Sequence, residues 1–165
     1  MRALSILIPL SVVFLASGCS GDAQERTPAE RAEMPEVVEG TLKHTTVRFP
    51  HAEFDGDLSI FEGEGWGFNP SLLIFLFLEE DEEIEGREFH VRAESGFKMG
   101  RPHVHYRWRD PGTGEIDVAA VMDNYEMDLV FGEITNGTLM GTIAFSVPGE
   151  GSRVRGHFRA KIAED

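Results

Sequence analysis

The sequence predicts an all-β domain, and three observations support this prediction. Turn residues recur at short intervals, apolar residues alternate with polar ones between the turns, and no stretch keeps a helical period for ten residues. About nine strands follow from these runs. Successive hairpins of this kind fit an antiparallel β-sandwich, and a closed β-barrel is the alternative.

The candidate strands follow one another along the chain with short turns between them. They span residues 41–49, 57–61, 72–78, 87–93, 103–109, 116–122, 125–135, 139–147 and 152–162. The seven consecutive apolar residues of Leu72–Leu78 predict a strand that is covered on both faces. Asn136-Gly137 predicts a type I′ hairpin, because both residues tolerate positive φ.

The first 39 residues differ in character from the domain. Met1-Arg2 is a short positive start, residues 3–15 are mostly apolar, and small residues precede Cys19. This is the layout of a secretory signal, and the apolar run is shorter than the roughly 20 residues of a transmembrane helix. Residues 19–39 are acidic and lack aromatic side chains, so we expect a disordered tether. The domain then occupies residues 40–165.

The segment Leu15-Ala16-Ser17-Gly18-Cys19 resembles the lipobox of bacterial lipoproteins. The resemblance implies a signal peptide of residues 1–18, cleavage before Cys19, and acyl chains such as palmitate on that cysteine. Two or three chains would anchor the protein stably to the membrane. By the family's sorting rule, Ser20 favours the outer membrane. The alternative is an ordinary signal peptide followed by a free thiol, since Cys19 is the only cysteine.

The chain is strongly acidic, with 29 Asp and Glu against 15 Lys and Arg and a net charge of −14. This balance argues against a nucleic-acid partner. It also argues against adhesion to anionic lipid headgroups, so membrane attachment would depend on the acyl chains of Cys19. Solubility alone is a sufficient reason for such a charge.

The last strand carries the most localised positive charge of the sequence. Alternation places five basic side chains on its outward face: Arg153, Arg155, His157, Arg159 and Lys161. Such a row would suit a carboxylate-rich or phosphate-rich partner in the envelope, either an anionic glycan or a protein. The alternative is a solvated face that pairs with acidic neighbours across the sheet, such as Glu126 and Asp128.

Three histidines form a candidate metal site. His103 and His105 lie two residues apart on one strand and therefore share a face, and His90 is a possible third ligand on another strand. Imidazoles bind zinc or copper, and a catalytic zinc has three protein ligands. Arg107 beside them would repel a cation, so the alternative is surface histidines without metal. No other cofactor is indicated.

Catalytic chemistry has no support elsewhere in the chain. There is no Gly-x-Ser-x-Gly motif, and no Gly-rich phosphate loop leads into a helix. We expect the acidic run Glu79–Glu85 to be a solubilising turn and not a calcium loop. Tyr106 and Trp108 are expected in the core, and Trp66 is a possible aromatic platform.

These observations favour a lipid-anchored, non-enzymatic binding or scaffold module of the cell envelope, with no catalytic residue assigned. Two alternatives remain open. The first is a metal-dependent enzyme or metal carrier that uses the three histidines. The second is a lipocalin-like carrier of a hydrophobic ligand, which would need a large apolar cavity.

Overall fold

The computed structural model describes residues 34–65, 67–79, 82–93, 96 and 98–163. Within these residues the chain forms eleven strands, and no helix there has the length and apolar character needed to cross a membrane. The predicted signal peptide, the lipobox-like segment and most of the predicted tether lie outside the described residues. The strands are β1 (Val38–Leu42), β2 (Thr45–Phe49), β3 (His51–Phe54), β4 (Leu58–Phe61), β5 (Ser71–Phe75), β6 (Glu88–Val91), β7 (His103–Arg109), β8 (Ile116–Val121), β9 (Glu126–Thr135), β10 (Thr138–Val147) and β11 (Ser152–Ile162).

The all-β prediction is confirmed, and the strands form one curled sheet. Its order is β6-β9-β10-β11-β3-β4-β5-β7-β8, and the β1–β2 hairpin pairs with the first half of β11. Strands β6, β9, β10 and β11 with the β1–β2 hairpin form one half of the sheet, and β3, β4, β5, β7 and β8 form the other. The concave sides of the two halves face each other across one core, so the architecture is sandwich-like.

The two halves are joined by hydrogen bonds between β11 and β3. These strands run parallel, with Ala160 opposite Ala52 and Ile162 opposite Phe54. The sheet is therefore mixed, whereas the sequence predicted only antiparallel pairing. Strand β3 was not among the predicted strands: it is only four residues long, and it pairs with β4 across the Asp55-Gly56 turn as well as with the distant β11.

Aromatic side chains from both halves fill the core. Tyr106 of β7 contacts Phe145 of β10, with 5.9 Å between ring centroids, and both are essentially inaccessible. Phe131 of β9 contacts Phe54 of β3 at 5.9 Å and Phe158 of β11 at 5.7 Å. The predicted inward positions are thus confirmed for these strands, and Trp108 is half-buried against the same core. Burial of such large rings supplies much of the driving force for folding.

The segment predicted as one strand over residues 41–49 is a two-stranded hairpin. Strand β1 begins at Val38, within the segment assigned to the tether, and Lys43-His44 forms the turn to β2. Both turn residues have positive φ, 47° for Lys43 and 66° for His44. The left-handed region is costly for residues other than glycine and asparagine, so sequence patterns did not indicate a turn here.

Contacts with the β10–β11 turn hold Lys43-His44 in this conformation. The Lys43 amide donates to Ser152 Oγ at 3.0 Å, and the His44 amide donates to the Gly151 carbonyl at 3.1 Å. The Lys43 ammonium pairs with the Glu150 carboxylate. The buried Tyr106 hydroxyl donates to the same carboxylate at 2.7 Å. We call Lys43, Tyr106 and Glu150 the turn triad.

The apolar run at β5 is covered on one face only within the described part of the chain. Leu72, Ile74 and Leu76 are buried in the core, which confirms half of the prediction. On the outer face Leu73 and Phe75 are half-buried, and Phe77 is 54% exposed. The expectation of cover on both faces was wrong, because the strands beside β5 are β4 and β7 of the same sheet and no second layer within the described residues covers the outer face.

Candidate anion-binding face

The cationic row of β11 lies on the outer face of the sheet, as the alternation of the sequence predicts. Val154, Phe158 and Ala160 point into the core. The opposite side carries the row itself, of which four members are exposed and His157 is half-buried: Arg153, Arg155, His157, Arg159 and Lys161. Strand pleating places successive members of such a row about 6.6 Å apart.

The strands beside β11 present mostly short side chains to the row. Arg153 lies opposite Thr41 of β1 and Ser146 of β10. Arg155 lies opposite Ala144 of β10 and Glu39 of β1. Both arginines are exposed, and Glu39 is the one acidic residue in register with them.

Strand β2 adds a third arginine to this face. Arg48 lies opposite Glu39 of β1, and Glu39 in turn lies opposite Arg155 of β11. An open groove of about 610 Å³ follows this surface, and its lining is Pro35, Glu39, Gly40, Thr46, Val47, Arg48, Arg153 and Arg155. The lining therefore carries three arginines and one carboxylate.

The single carboxylate does not neutralise the groove. Arg48 Nε and Glu39 Oε2 are 3.8 Å apart, and both side chains are largely in solvent, at 72% and 48% exposure. Exposed pairs of this kind contribute little. For Arg153 and Arg155, the described residues provide no hydrogen-bond or ion-pair partner. An anion in the groove would meet guanidinium donors that suit carboxylate or phosphate oxygens.

The acidic residues expected to neutralise the row do not lie next to it. Glu126 and Asp128 are on β9, which is separated from β11 by β10. Two strand spacings correspond to roughly 10 Å. Asp128 instead accepts hydrogen bonds from Arg92 at 2.8 Å and pairs with His90 at 2.9 Å. The proposed neutralisation by these two residues is therefore absent from this geometry.

The C-terminal half of the row has different neighbours. The His157 amide donates to the Pro35 carbonyl at 2.9 Å, so the chain that enters β1 is held against β11 at this point. Lys161 lies opposite Glu53 of β3 and Thr138 of β10. Arg159 lies opposite Met140. The cationic surface thus continues along β11, and Glu53 is the acidic neighbour in register at its far end.

The three candidate metal ligands are not brought together. His90 is on β6, at one end of the strand order, whereas His103 and His105 are on β7 near the other end. Both ring nitrogens of His90 are engaged, Nδ1 with Asp128 and Nε2 with Glu88. Within the described residues, no group of three or more His, Cys, Asp or Glu side chains could hold a metal ion.

The histidines have opposite electrostatic environments. The hydrogen bond with Asp128, supported by Glu88, raises the pKa of His90. Burial lowers the pKa of His105, and the charges of His103 and Arg107 lower it further. His105 also packs edge-on against Phe75, with ring centroids 4.8 Å apart.

Sequence reasoning missed Arg48, which depends on the register of the unrecognised β1–β2 hairpin. The only available signal was the alternation of Thr46 and Arg48 with the apolar Val47 and Phe49. Of the proposed aromatic platform, Trp66 lies outside the described residues, and Tyr106 is in the core.

The site is interpreted from its own geometry. Comparisons of this chain with protein-family models, with curated protein sequences and with solved structures gave no match.

Proposed function

We propose that this chain is a lipid-anchored, non-enzymatic protein of the cell envelope whose β-domain binds an anionic polymer along the outer face of β11. The ligand carries repeated carboxylate or phosphate groups, as an anionic glycan does. One observation carries the proposal: Arg48, Arg153 and Arg155 line a single open groove, and the cationic row continues from it.

The length and spacing of the row favour an extended ligand over a small anion. Four intervals of about 6.6 Å separate Arg153 from Lys161, which gives a track of roughly 26 Å. A polymer with a charge on each repeat can contact several of these groups together. In a chain of net charge −14, repulsion from the remaining surface would limit binding of a polyanion to this face.

The attachment to the membrane is part of the proposal and rests on the lipobox resemblance. Acyl chains on Cys19 would tie the domain to the envelope, with Ser20 favouring the outer membrane. Replacement of Cys19 by Ala in the full chain should release the protein into the soluble fraction of the cells. Mass spectrometry of the N-terminal peptide should show the acyl mass only on the unaltered chain.

Polymer binding is tested with three probes. Polygalacturonate carries repeated carboxylates, inorganic polyphosphate carries repeated phosphates, and dextran is the uncharged control. We expect the two anionic probes to bind, with affinity that falls as salt rises, and dextran not to bind. Removal of two charge contacts in the double variant R153Q/R155Q should weaken binding by at least about tenfold, which corresponds to 1.4 kcal/mol.

Arg109→Gln is the matched control, because Arg109 is an exposed arginine on β7, in the other half of the sheet. The affinity of the R109Q variant for the anionic polymers should differ from that of the unaltered chain by less than about twofold if the face of β11 is the site. The single variant R155Q removes the same charge as R109Q, so equal losses in these two variants would mean that the polymer senses only overall charge. That result would remove the proposed site.

A further inference from the structure

A second surface combines positive charge with apolar side chains, on the outer face of the other half of the sheet. The outward residues of β7 are His103, His105, Arg107 and Arg109, with no acidic residue among them. On one side they adjoin Ser71, Leu73 and Phe75 of β5, and on the other Ile116, Val118 and Ala120 of β8. A basic strand therefore runs between two mostly apolar ones.

A small pocket opens in this surface. Its volume is about 190 Å³, and its lining is Ser71, Leu73, Phe75, His105, Arg107 and Val118. Three of these side chains are apolar and three can form hydrogen bonds. Among these described side chains there is no carboxylate, and Arg107 supplies a positive charge.

The position of the Arg107 guanidinium is fixed by the loop that precedes β5. Its Nη1 donates to the Gly67 carbonyl at 2.8 Å. A guanidinium carries five N–H donors in a planar fork and can serve more than one acceptor, which is the reason arginine is suited to carboxylates. In register, Arg107 lies between Ser71 and Val118, so the polar and apolar ends of the pocket meet there.

We infer that this pocket binds a small apolar carboxylic acid in its ionised form, with the carboxylate at Arg107 and His105 and the apolar tail against Leu73, Phe75 and Val118. Charge complementarity selects the anion, and the apolar walls select a hydrocarbon tail. This site is separate from the cationic row of β11 and does not depend on the polymer.

The volume limits the size of the ligand. Pockets for drug-sized molecules measure about 300–1,000 Å³. Since a water molecule occupies about 30 Å³ of the liquid, 190 Å³ accommodates about six or seven non-hydrogen atoms. Pentanoate, with seven, is therefore the probe of choice. Pentanol and pentylamine keep the tail and replace the carboxylate by a neutral and a positive group.

The pKa of His105 provides a direct readout of carboxylate binding in this pocket. The residues opposite it on β5 and β8, Leu73 and Ala120, carry no charge, and its charged neighbours His103 and Arg107 lower its pKa. A bound carboxylate would oppose those positive charges and raise the pKa of His105. In NMR titrations of the full chain, saturating pentanoate should raise the pKa of this imidazole, and pentylamine should not.

Two variants of Val118 test the location of the site. Val118 is 62% exposed on β8, so either change should leave the fold intact. Val118→Asp places a like charge beside the ligand and should weaken pentanoate binding at least about tenfold, whereas Val118→Thr should stay within about threefold of the unaltered chain.

Three results would overturn the inference: equal binding of pentanol and pentanoate, no saturable binding of pentanoate, or full binding in V118D. Binding of polygalacturonate should be the same in V118D and the unaltered chain. The two sites therefore succeed or fail independently.

Discussion

Two hairpin turns of this protein have the same backbone conformation but very different sequences. Asn136-Gly137, between β9 and β10, has φ values of 52° and 70°, and Lys43-His44, between β1 and β2, has 47° and 66°. The first pair adopts these angles at little cost, and the second does so at a cost of about 1–2 kcal/mol for each residue. The comparison shows that one turn is specified locally and the other by its tertiary contacts.

The largest expected effect comes from loss of the carboxylate that holds the costly turn. Glu150→Ala removes the acceptor of the buried Tyr106 hydroxyl and the partner of Lys43. We expect the free energy of unfolding in urea to fall by about 2–3 kcal/mol. Glu126→Ala, which removes an exposed carboxylate of β9, should change it by no more than about 0.5 kcal/mol. Equal losses would show that Glu150 has no special role.

The next effect separates the two turns through Gly137, which lies in the first turn, and Gly151, which lies against His44 of the second. A Cβ on Gly137 would meet nothing within 4 Å, whereas a Cβ on Gly151 would lie 2.1 Å from His44 Cε1. Both glycines have positive φ, so each Ala substitution should cost about 1 kcal/mol from the backbone alone. We expect Gly151→Ala to cost about 2 kcal/mol because the His44 ring must also move. In a His44→Ala background the additional cost of Gly151→Ala, relative to Gly137→Ala, should disappear. If this additional cost persists, the ring contact is not its cause.

A reciprocal exchange of the two turn sequences should raise the stability of one variant and lower that of the other. Asn-Gly in place of Lys43-His44 relieves two costly φ angles but loses the partly buried ion pair with Glu150, so stability should rise by about 1 kcal/mol. Lys-His in place of Asn136-Gly137 should lower it by at least that much, since no partner there supports the strained pair. Thermal unfolding of the two variants measures both changes. A loss of stability in both would indicate that the ion pair outweighs the strain.

The smallest effect is the dependence of the turn triad on pH. The Lys43 ammonium and the Tyr106 hydroxyl lower the pKa of Glu150, so the stability that Glu150 contributes is lost as pH falls through its folded-state pKa. The Glu150 carboxylate raises the pKa of Lys43, so that contribution is lost as pH rises through the folded-state value.

A double-mutant cycle of K43A and E150A should therefore give a coupling of about 0.2–1 kcal/mol at neutral pH. The coupling should vanish at pH values below the usual glutamate range. The Asn136-Gly137 turn contains no titratable side chain, so its contribution should not vary with pH. A coupling that survives in acid would mean that the two residues interact through packing.

The same contrast explains how far the fold could be predicted from the sequence. Strands with alternating residues and ordinary turns, such as β9 and β10, were predicted closely. The β1–β2 hairpin was predicted as one strand, because nothing in Lys43-His44 favours a turn until Gly151 and Ser152 are beside it. Strand β3 was missed because it is only four residues long, although Asp55-Gly56 joins it to β4 in a local hairpin. Its parallel pairing with β11, over a separation of about a hundred residues, could not be predicted because local patterns do not encode distant partners.

The candidate site was predictable to the same extent. Alternation alone placed Arg153 and its companions on one outward face. Arg48 joins them only through the register Arg48–Glu39–Arg155, which depends on the missed hairpin. The histidine set required His90 to approach β7, and the pairing of β6 with β9 prevents this.

The pairing of the last strand with β1 and β3 also has a kinetic consequence. The β1–β2 and β3–β4 hairpins can form locally, but the pairings of β1 and β3 with β11 must wait until residues 152–162 are available. The contacts that close the sheet therefore have very high contact order. Folds dominated by such contacts form in milliseconds to seconds, far more slowly than helical bundles. A nascent chain that lacks β11 would expose the edges of β1, β3 and β10 together. Completion of this domain is therefore a late event, because it requires that β11 has been synthesised.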